Sequence, residues 1–369
     1  MSGDYCRGCG VAIQSEDPGK PGYVPSEVKA DRNRLICKRC YRITHYGEAS
    51  KVQPEPNKIR QSIIKAISLS DLLVIVVDLA DITGTLPVWS GFLNEKPYIL
   101  AVNKSDLLPV RTKQPEIIDF LKLYLKNNGW GNPRDLIMTS GLKGGGIDIL
   151  AGRIGKETAA GSRVAILGVT NVGKSSVVKQ FLKSEKSANA PTVSKFPGTT
   201  MGLSNWSILK GRNTLIDTPG LVPGDRMSDL LCPECACLLV PSTKIEQKLW
   251  GLNPGKGLIV GGLLGVEYLG AEETVVIAFT SPEITLHRTD NLKIPQLMDE
   301  SPAWLNKTCR SCRNKVEWQE EIVNLPANHD LAVAGLGWIS LRGRATNEFK
   351  IRLPKGIRWE IRPVLIGKR

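Results

Sequence analysis

An α/β fold built on a parallel sheet is what the sequence predicts for the middle of this chain. A small metal-stapled module is expected before it and an α+β region after it. Three observations lead there. Residues 163–167 (RVAIL) form a short apolar, β-branched run, 168–176 (GVTNVGKSS) a glycine-framed loop, and 177–182 continue with helical spacing. Apolar runs such as 72–78 and 97–102 alternate with helix-period stretches, as βαβ units require. Cys6/Cys9 and Cys37/Cys40 form two C-x-x-C pairs inside the first fifty residues, which are too rich in Gly, Pro and charge to build a core unaided.

At 369 residues the chain has room for two or three domains, and its 41% hydrophobic and 23% charged content is that of an ordinary globular protein. The longest apolar runs, 72–77 and 258–264, are far too short to cross a bilayer, so no membrane partner is expected. The first residues carry no charged-then-apolar export signal. The expected location is therefore cytoplasmic, or an organellar stroma or matrix if a targeting peptide is missing from this chain. A net charge of +13 favours a polyanionic partner. Nine cysteines without an export signal suggest metal thiolates before disulfides.

In the N-terminal module (1–50), Cys6, Cys9, Cys37 and Cys40 have the spacing of two knuckles that present four thiolates to one zinc ion. A redox dithiol or free surface cysteines are the competing readings. Arg7, Arg32, Arg34, Lys38, Arg39 and Arg42 surround the knuckles, with Tyr41 and Tyr46 among them, a mixture suited to RNA contact or to a solvated face.

The second region (51–228) opens with a helical stretch at 58–69 and buried strands at 72–78 and 97–102. The latter ends in Asn103-Lys104-Ser105-Asp106, the N-K-x-D arrangement. An aspartate at position 106 can accept from guanine N1–H and N2–H together, and adenine offers no such donor pair. Helix 116–127 and strand 135–138 lead to Thr139-Ser140-Gly141, similar to an S-A element that touches guanine through its main chain, with Gly141 where Ala is commoner. Helix 147–154 follows. Only then comes the loop from Gly168 to Ser176, whose glycines and amides (Gly168, Asn171, Val172, Gly173) can turn onto a β-phosphate. Lys174 reaches the β/γ oxygens, the Ser175 hydroxyl ligates Mg²⁺, and Ser176 continues the helix start. Phe196-Pro197-Gly198-Thr199-Thr200 supplies a switch threonine for Mg²⁺, with Thr200 preferred and Thr199 its competitor. Strands 203–209 and 212–216 lead into Asp217-Thr218-Pro219-Gly220, in which Asp217 steadies Mg²⁺ and the Gly220 amide senses a γ-phosphate.

Base-reading elements thus precede phosphate elements, and this order resembles that of circularly permuted P-loop GTPases. With the N-terminal C-x-x-C…C-x-x-C-Tyr-Arg pattern, His287-Arg288-Thr289 and 334–338 (AGLGW), the chain is similar to the YqeH family nearly end to end. The resemblance implies a GTPase that binds GTP/GDP with Mg²⁺ and assists assembly of the small ribosomal subunit, with that subunit or its rRNA as partner. Asn171 matches an asparagine that in related GTPases helps hold K⁺, which would place it with Lys174 and Thr200 in catalysis; the competing role is loop shaping. Leu221 stands where Ras-like proteins carry a water-orienting Gln, so slow, partner-dependent hydrolysis is expected. The alternative is a nucleotide-gated RNA-binding scaffold with negligible turnover.

The C-terminal region (229–369) reads as α+β, with β-prone runs at 257–260, 274–279 and 331–341. Residues 342–369 hold nine Lys/Arg against two acids, and alternation in 349–353 and 357–362 predicts cations on one exposed row, suited to RNA phosphates or merely solvated. Cys232, Cys235, Cys309 and Cys312 have knuckle spacing for a second zinc site, leaving Cys237 over. The permuted order sends the switch segment 221–228 straight into this region, as a mechanical link or as a slack tether.

Overall fold

The computed structural model describes residues 12–18, 20, 22–25, 37, 56–93, 96–110, 112–186, 203–314, 316–343 and 345–367. Cys6, Cys9, Cys40, their basic neighbours and 196–200 with Thr199 and Thr200 lie outside them.

Helix α1 (Pro56–Ser68) buries Ile59, Ile63, Ala66 and Ile67, one stripe at helical spacing, against the sheet that follows. That sheet consists of β1 (Leu72–Asp78), β2 (Tyr98–Asn103), β3 (Asp135–Met138), β4 (Arg163–Gly168), β5 (Ser204–Ile208) and β6 (Asn213–Asp217). Their order is β3-β2-β1-β4-β6-β5, parallel except for the β5–β6 hairpin. All seven β1 residues are buried, as expected of a strand covered on both faces. Helices α2 (Gln114–Asn127), α3 (Ile147–Glu157) and α4 (Lys174–Lys186) supply the crossovers and cover. From β1 the chain moves outward to β2 and β3; from β4 it moves the other way, towards β6. The β1/β4 junction is therefore a topological switch point, and the crevice beyond its carboxyl ends is where such folds bind ligands.

The rest is mostly β. After the short helix α5 (Pro233–Leu239) come β7 (Glu246–Leu252), β8 (Lys256–Val260), β9 (Leu264–Tyr268), β10 (Thr274–Thr280), β11 (Leu286–Asp290), β12 (Trp318–Leu325), β13 (His329–Val333), β14 (Gly337–Arg342), β15 (Asn347–Pro354) and β16 (Trp359–Pro363). They form two antiparallel sheets, β16-β13-β14-β10-β7 and β11-β8-β9-β15-β12. The run 331–341, expected as one β-prone stretch, is a hairpin: Gly335 at φ +72° makes the turn.

Period-two alternation serves two cores in the first of these sheets. Val276, Ala278, Leu331, Ile339 and Leu341 pack with Leu258, Val266, Tyr268 and Phe349 of the second sheet. Phe279, Ala332 and Trp338, on the opposite face, join the core of the parallel sheet, and Phe279 stacks on Trp338 at 4.8 Å. Among the described residues no helix is long and apolar enough to cross a membrane.

The expected row of free cations in 349–353 and 357–362 is not there, because neighbouring segments supply Lys350, Arg352, Arg358 and Arg362 with acids. Glu320 of β12 lies opposite Arg352 and pairs with it at 3.0 Å and with Lys350 at 2.8 Å. Arg358 pairs with Asp225. Arg362 is only 3% exposed; it lies over Phe120 and Trp338, 3.7 Å from the fully buried Asp330, and donates to Thr83 Oγ1 at 3.0 Å. Beside it Glu360 accepts from Thr83 Oγ1 at 2.6 Å and from Tyr124 at 3.0 Å, tying β16 to α2. Burial pushes the Asp330 carboxyl up and Arg362 pulls it back.

Arg362→Met should therefore cost about 3–5 kcal/mol in urea unfolding, since it leaves a buried acid without its cation. Adding Asp330→Asn should recover part of that loss; equal stability of single and double variants would count against the assignment.

Candidate nucleotide site and cysteine cluster

The N-K-x-D turn and the glycine loop meet at the carboxyl ends of β2, β1 and β4. Asn103, which closes β2 and is 2% exposed, donates from Nδ2 to the Val172 carbonyl at 2.7 Å and accepts from the Gly141 amide at 2.8 Å. One side chain thus touches two motifs that lie 38 and 69 positions away in sequence. Lys104 holds a left-handed backbone (φ +65°), and its ammonium pairs with Asp78 at the end of β1. Asp106 lies in the 3₁₀ turn Ser105–Leu107. Ser140 is pinned by its amide to the Gly145 carbonyl at 2.9 Å, while its hydroxyl accepts from the Lys143 amide at 3.0 Å.

Glycine is required at 141 for a reason the sequence does not reveal. A Cβ there would lie 2.9 Å from Ser176 Cβ and 3.0 Å from the Val177 nitrogen, so the alanine expected by analogy does not fit against α4. Gly173, at φ +83°, faces Asn103 Nδ2 so closely that a Cβ would come within 2.4 Å of it. Asn171 also has positive φ, +68°, so its loop-shaping role is visible in the backbone.

Lys174, Ser175 and Ser176 open α4, and the buried Lys174 ammonium bonds to Asp217 at the end of β6. Thr218 donates to the Ile166 carbonyl at 2.9 Å, which fixes the D-T-P-G turn to β4. Beyond Gly220 the chain continues the parallel pairing: the Leu221 amide donates to Gly168 at 3.2 Å, and the Thr170 amide to Leu221 at 2.8 Å. A glycine loop with no room for Cβ at Gly168 or Gly173, a buried lysine and an adjacent carboxylate fit a triphosphate with its divalent cation.

Two residues that sequence reasoning passed over stand beside this loop. Asp81 accepts from the amides of Gly84 at 3.0 Å and Gly335 at 2.9 Å, and burial pushes its carboxyl up to about 7 against the pull of Arg226. Arg226, 2% exposed, donates to the Thr170 carbonyl at 3.0 Å and hydroxyl at 2.8 Å and pairs with Asp229 at 2.6 Å. Asp78, Asp81, Asn171 and Arg226 line a small cavity of about 30 Å³. Isolated charged residues in short loops carry no periodic signal, so nothing in the sequence marked them.

Cys232, Cys235, Cys309 and Cys312 converge, all four Sγ atoms within 4.8 Å of one another. The Cys232 and Cys309 sulfurs are 4.0 Å apart, near the roughly 3.8 Å between vertices of a tetrahedral zinc thiolate and far too long for a disulfide. Each knuckle amide serves the opposite pair: Cys232 N–H donates to Cys312 Sγ at 3.2 Å and Cys309 N–H to Cys235 Sγ at 3.1 Å. Burial holds the Cys235 thiol up at about 12, while the hydrogen bond from the Cys312 backbone brings Cys309 down to about 7. A divalent cation is what makes four thiolates compatible at one point. Cys237 stays exposed, outside the cluster. Cys37 is described and buried, but its three expected co-ligands lie outside the described residues.

Residues 163–247 match the family described as 50S ribosome-binding GTPase. The chain is similar to YqeH of Bacillus subtilis, 29% identical over 98% of this chain and 99% of that one. It also resembles NO-associated protein 1, chloroplastic/mitochondrial, of Arabidopsis thaliana, 25% identical over 98% of this chain and 76% of that protein. Among solved structures, GDP-bound TM YlqF is 21% identical with a TM-score of 0.30, and the match covers 43% of this chain and 57% of that one. A score that low adds no argument.

Two measurements test the buried carboxyl and the cysteine cluster. Folding raises the Asp81 carboxyl from 3.8 to about 7, so the stability it contributes is present below pH 4 and lost as pH rises towards and through 7. The wild type should accordingly lose stability relative to Asp81→Asn across pH 4–7, by at most about 1.4 kcal/mol per pH unit; parallel urea-derived curves would refute it. Metal analysis of the purified protein should return two zinc ions per chain, and one after Cys232→Ser/Cys235→Ser. A single zinc in the wild type sinks the second site.

Proposed function

We propose that this chain, a circularly permuted P-loop GTPase of the YqeH family, hydrolyses GTP to GDP and phosphate as a nucleotide-gated assembly factor for the small ribosomal subunit. The observation that carries the reading is the Asn103–Val172 hydrogen bond, because it joins the N-K-x-D turn to the glycine loop at one rim of one sheet. On that rim Asn103, Lys104, Asp106, Ser140 and Gly141 hold the base, and Gly168, Asn171–Ser176 and Gly220 the phosphates. Ser175, Asp217 and Thr200 hold Mg²⁺, which supplies charge neutralisation at the phosphates when bound. Lys174 offsets developing negative charge; Asn171, beyond shaping the loop, offers an oxygen to K⁺. The Leu221 side chain cannot polarise water, and its main chain is engaged with Gly168 and Thr170. Intrinsic turnover is therefore slow and raised by a partner.

In this reading the chain divides into an N-terminal zinc module (1–50), a GTPase domain (51–228) around the parallel sheet and a C-terminal module (229–369) around the two antiparallel sheets, with cytoplasm as the working location. RNA contact falls to the basic N-terminal run Arg32–Arg42, because Lys350, Arg352, Arg358 and Arg362 are neutralised within the fold. The family description names the 50S particle, so a large-subunit partner is the second reading.

Sedimentation with purified subunits, in GTP analogue, GDP and no nucleotide, tests the proposal. Binding to the small subunit only with the GTP analogue is expected, and equal binding in all three states rejects a switch. Pelleting with the large subunit corrects the partner. Hydrolysis should rise when K⁺ and the bound subunit are added; no turnover under those conditions leaves the scaffold alternative. Asp106→Asn should weaken GTP binding by about 5- to 150-fold, the cost of an unpaired buried polar group, and unchanged GTP selectivity would refute the base assignment.

A further inference from the structure

The loop position Thr170 is held from both ends of one short segment. The Leu221 carbonyl accepts from its amide at 2.8 Å, and Arg226 grips its carbonyl and hydroxyl at 3.0 and 2.8 Å. Arg226 is itself oriented by Asp229, whose carboxylate receives Nε at 3.0 Å and Nη2 at 2.6 Å. The fork is thereby shared between one acid and one backbone turn, which a single-point ammonium cannot reproduce.

The residues on either side of Arg226 are hydrogen-bonded to the C-terminal region. The Asp225 carbonyl accepts from the Arg358 amide at 2.8 Å, and its carboxylate receives Arg358 Nε at 2.9 Å. The Met227 amide donates to the Ala334 carbonyl at 2.8 Å. Gly335 in the same hairpin has no room for a Cβ beyond a 3.0 Å approach to Arg226 Cβ and Ser228, and its amide donates to Asp81 on the GTPase side. Three successive residues are thus bound to Arg358 between β15 and β16, to the phosphate loop, and to the 334–336 hairpin.

We propose that Arg226 is a positioning residue of the nucleotide site, fixing the phosphate loop through Thr170 and linking its occupancy to the 334–336 hairpin. This rests on the nucleotide-site reading above and adds to it the part through which the C-terminal sheets sense and bias that site. Linkage is reciprocal: whatever GDP does to the hairpin, a partner seated on the hairpin does to GDP affinity by the same factor.

Hydrogen exchange on the full chain with and without GDP tests it. In the wild type, GDP should protect amides of Gly168–Ser175 and slow exchange at Met227 and Gly335 at least about fivefold. In Arg226→Lys at saturating GDP the loop amides should remain protected while the response at Met227 and Gly335 disappears, with GDP affinity about tenfold weaker. Thr170→Val keeps the Arg226–Asp229 pair and removes one acceptor, and serves where Arg226→Lys fails to fold; it should lose at least half of the hairpin response. An undiminished hairpin response in both variants overturns the inference. So does loop protection without any hairpin response in the wild type, with the nucleotide site left standing. No GDP-dependent protection at the loop would overturn the nucleotide-site reading and this inference with it.

Discussion

Parallel pairing of β1 with β4 is the contact from which the rest of the site follows. Leu72 to Val76 lie in register with Val164 to Gly168, so the first glycine of the phosphate loop emerges beside the end of a strand encoded some ninety residues earlier. β2 carries the N-K-x-D turn along the other flank of β1, and β6 carries Asp217 along the other flank of β4. A parallel sheet requires only that crossovers return the chain to the same edge. It is indifferent to which strand is encoded first. Permuting the order therefore leaves the rim intact and changes only what the chain enters after β6.

What it enters includes a sheet whose central strands β10, β13 and β14 are covered on both faces. Alternate residues of β10, β13 and β14 fill the sandwich core on one side and the core of the parallel sheet on the other. The seam mixes an aromatic stack, Phe279 on Trp338, with a polar cluster of Thr83, Tyr124, Glu360 and Arg362. Sliding by one register would leave Glu360 and Asp330 desolvated without donors, at a cost well above that of losing apolar contact alone. Such a seam specifies one docking geometry.

The legible parts of the molecule were those whose signal is local or periodic. The continuous apolar runs of β1, β2 and β4 announced strands buried on both faces, and the glycine loop announced its own backbone. C-x-x-C spacing is equally local, and it located the Cys232/Cys235 and Cys309/Cys312 knuckles although the two halves lie over seventy residues apart. Cross-strand chemistry was not legible. Period-two alternation in 349–353 correctly turned Phe349, Ile351 and Leu353 inward, but the fate of Lys350 and Arg352 depended on Glu320 arriving opposite them, which is a matter of register. In β16 the rule fails outright at Arg362, which goes inward because two aromatic faces and Asp330 await it. Gly141 looked like a drift from alanine, yet Ser176 of a different motif forbids the methyl.

Whether the switch segment can act as a link rather than a slack tether is a question about anchors. A tether slackens through residues that bond to nothing, and 221–235 has few of them. Leu221 is bridged to the phosphate loop, Asp225 and Met227 to the C-terminal sheets, Arg226 back to Thr170, and Cys232 and Cys235 enter the cysteine cluster. The longest step between successive anchors is the five positions from Met227 to Cys232, about 17 Å even when fully extended. Displacement at Gly220 cannot be absorbed over so short a span without breaking one of these bonds. The permuted order thus replaces what would be a loop returning to its own sheet with a chain held at every few residues between two domains.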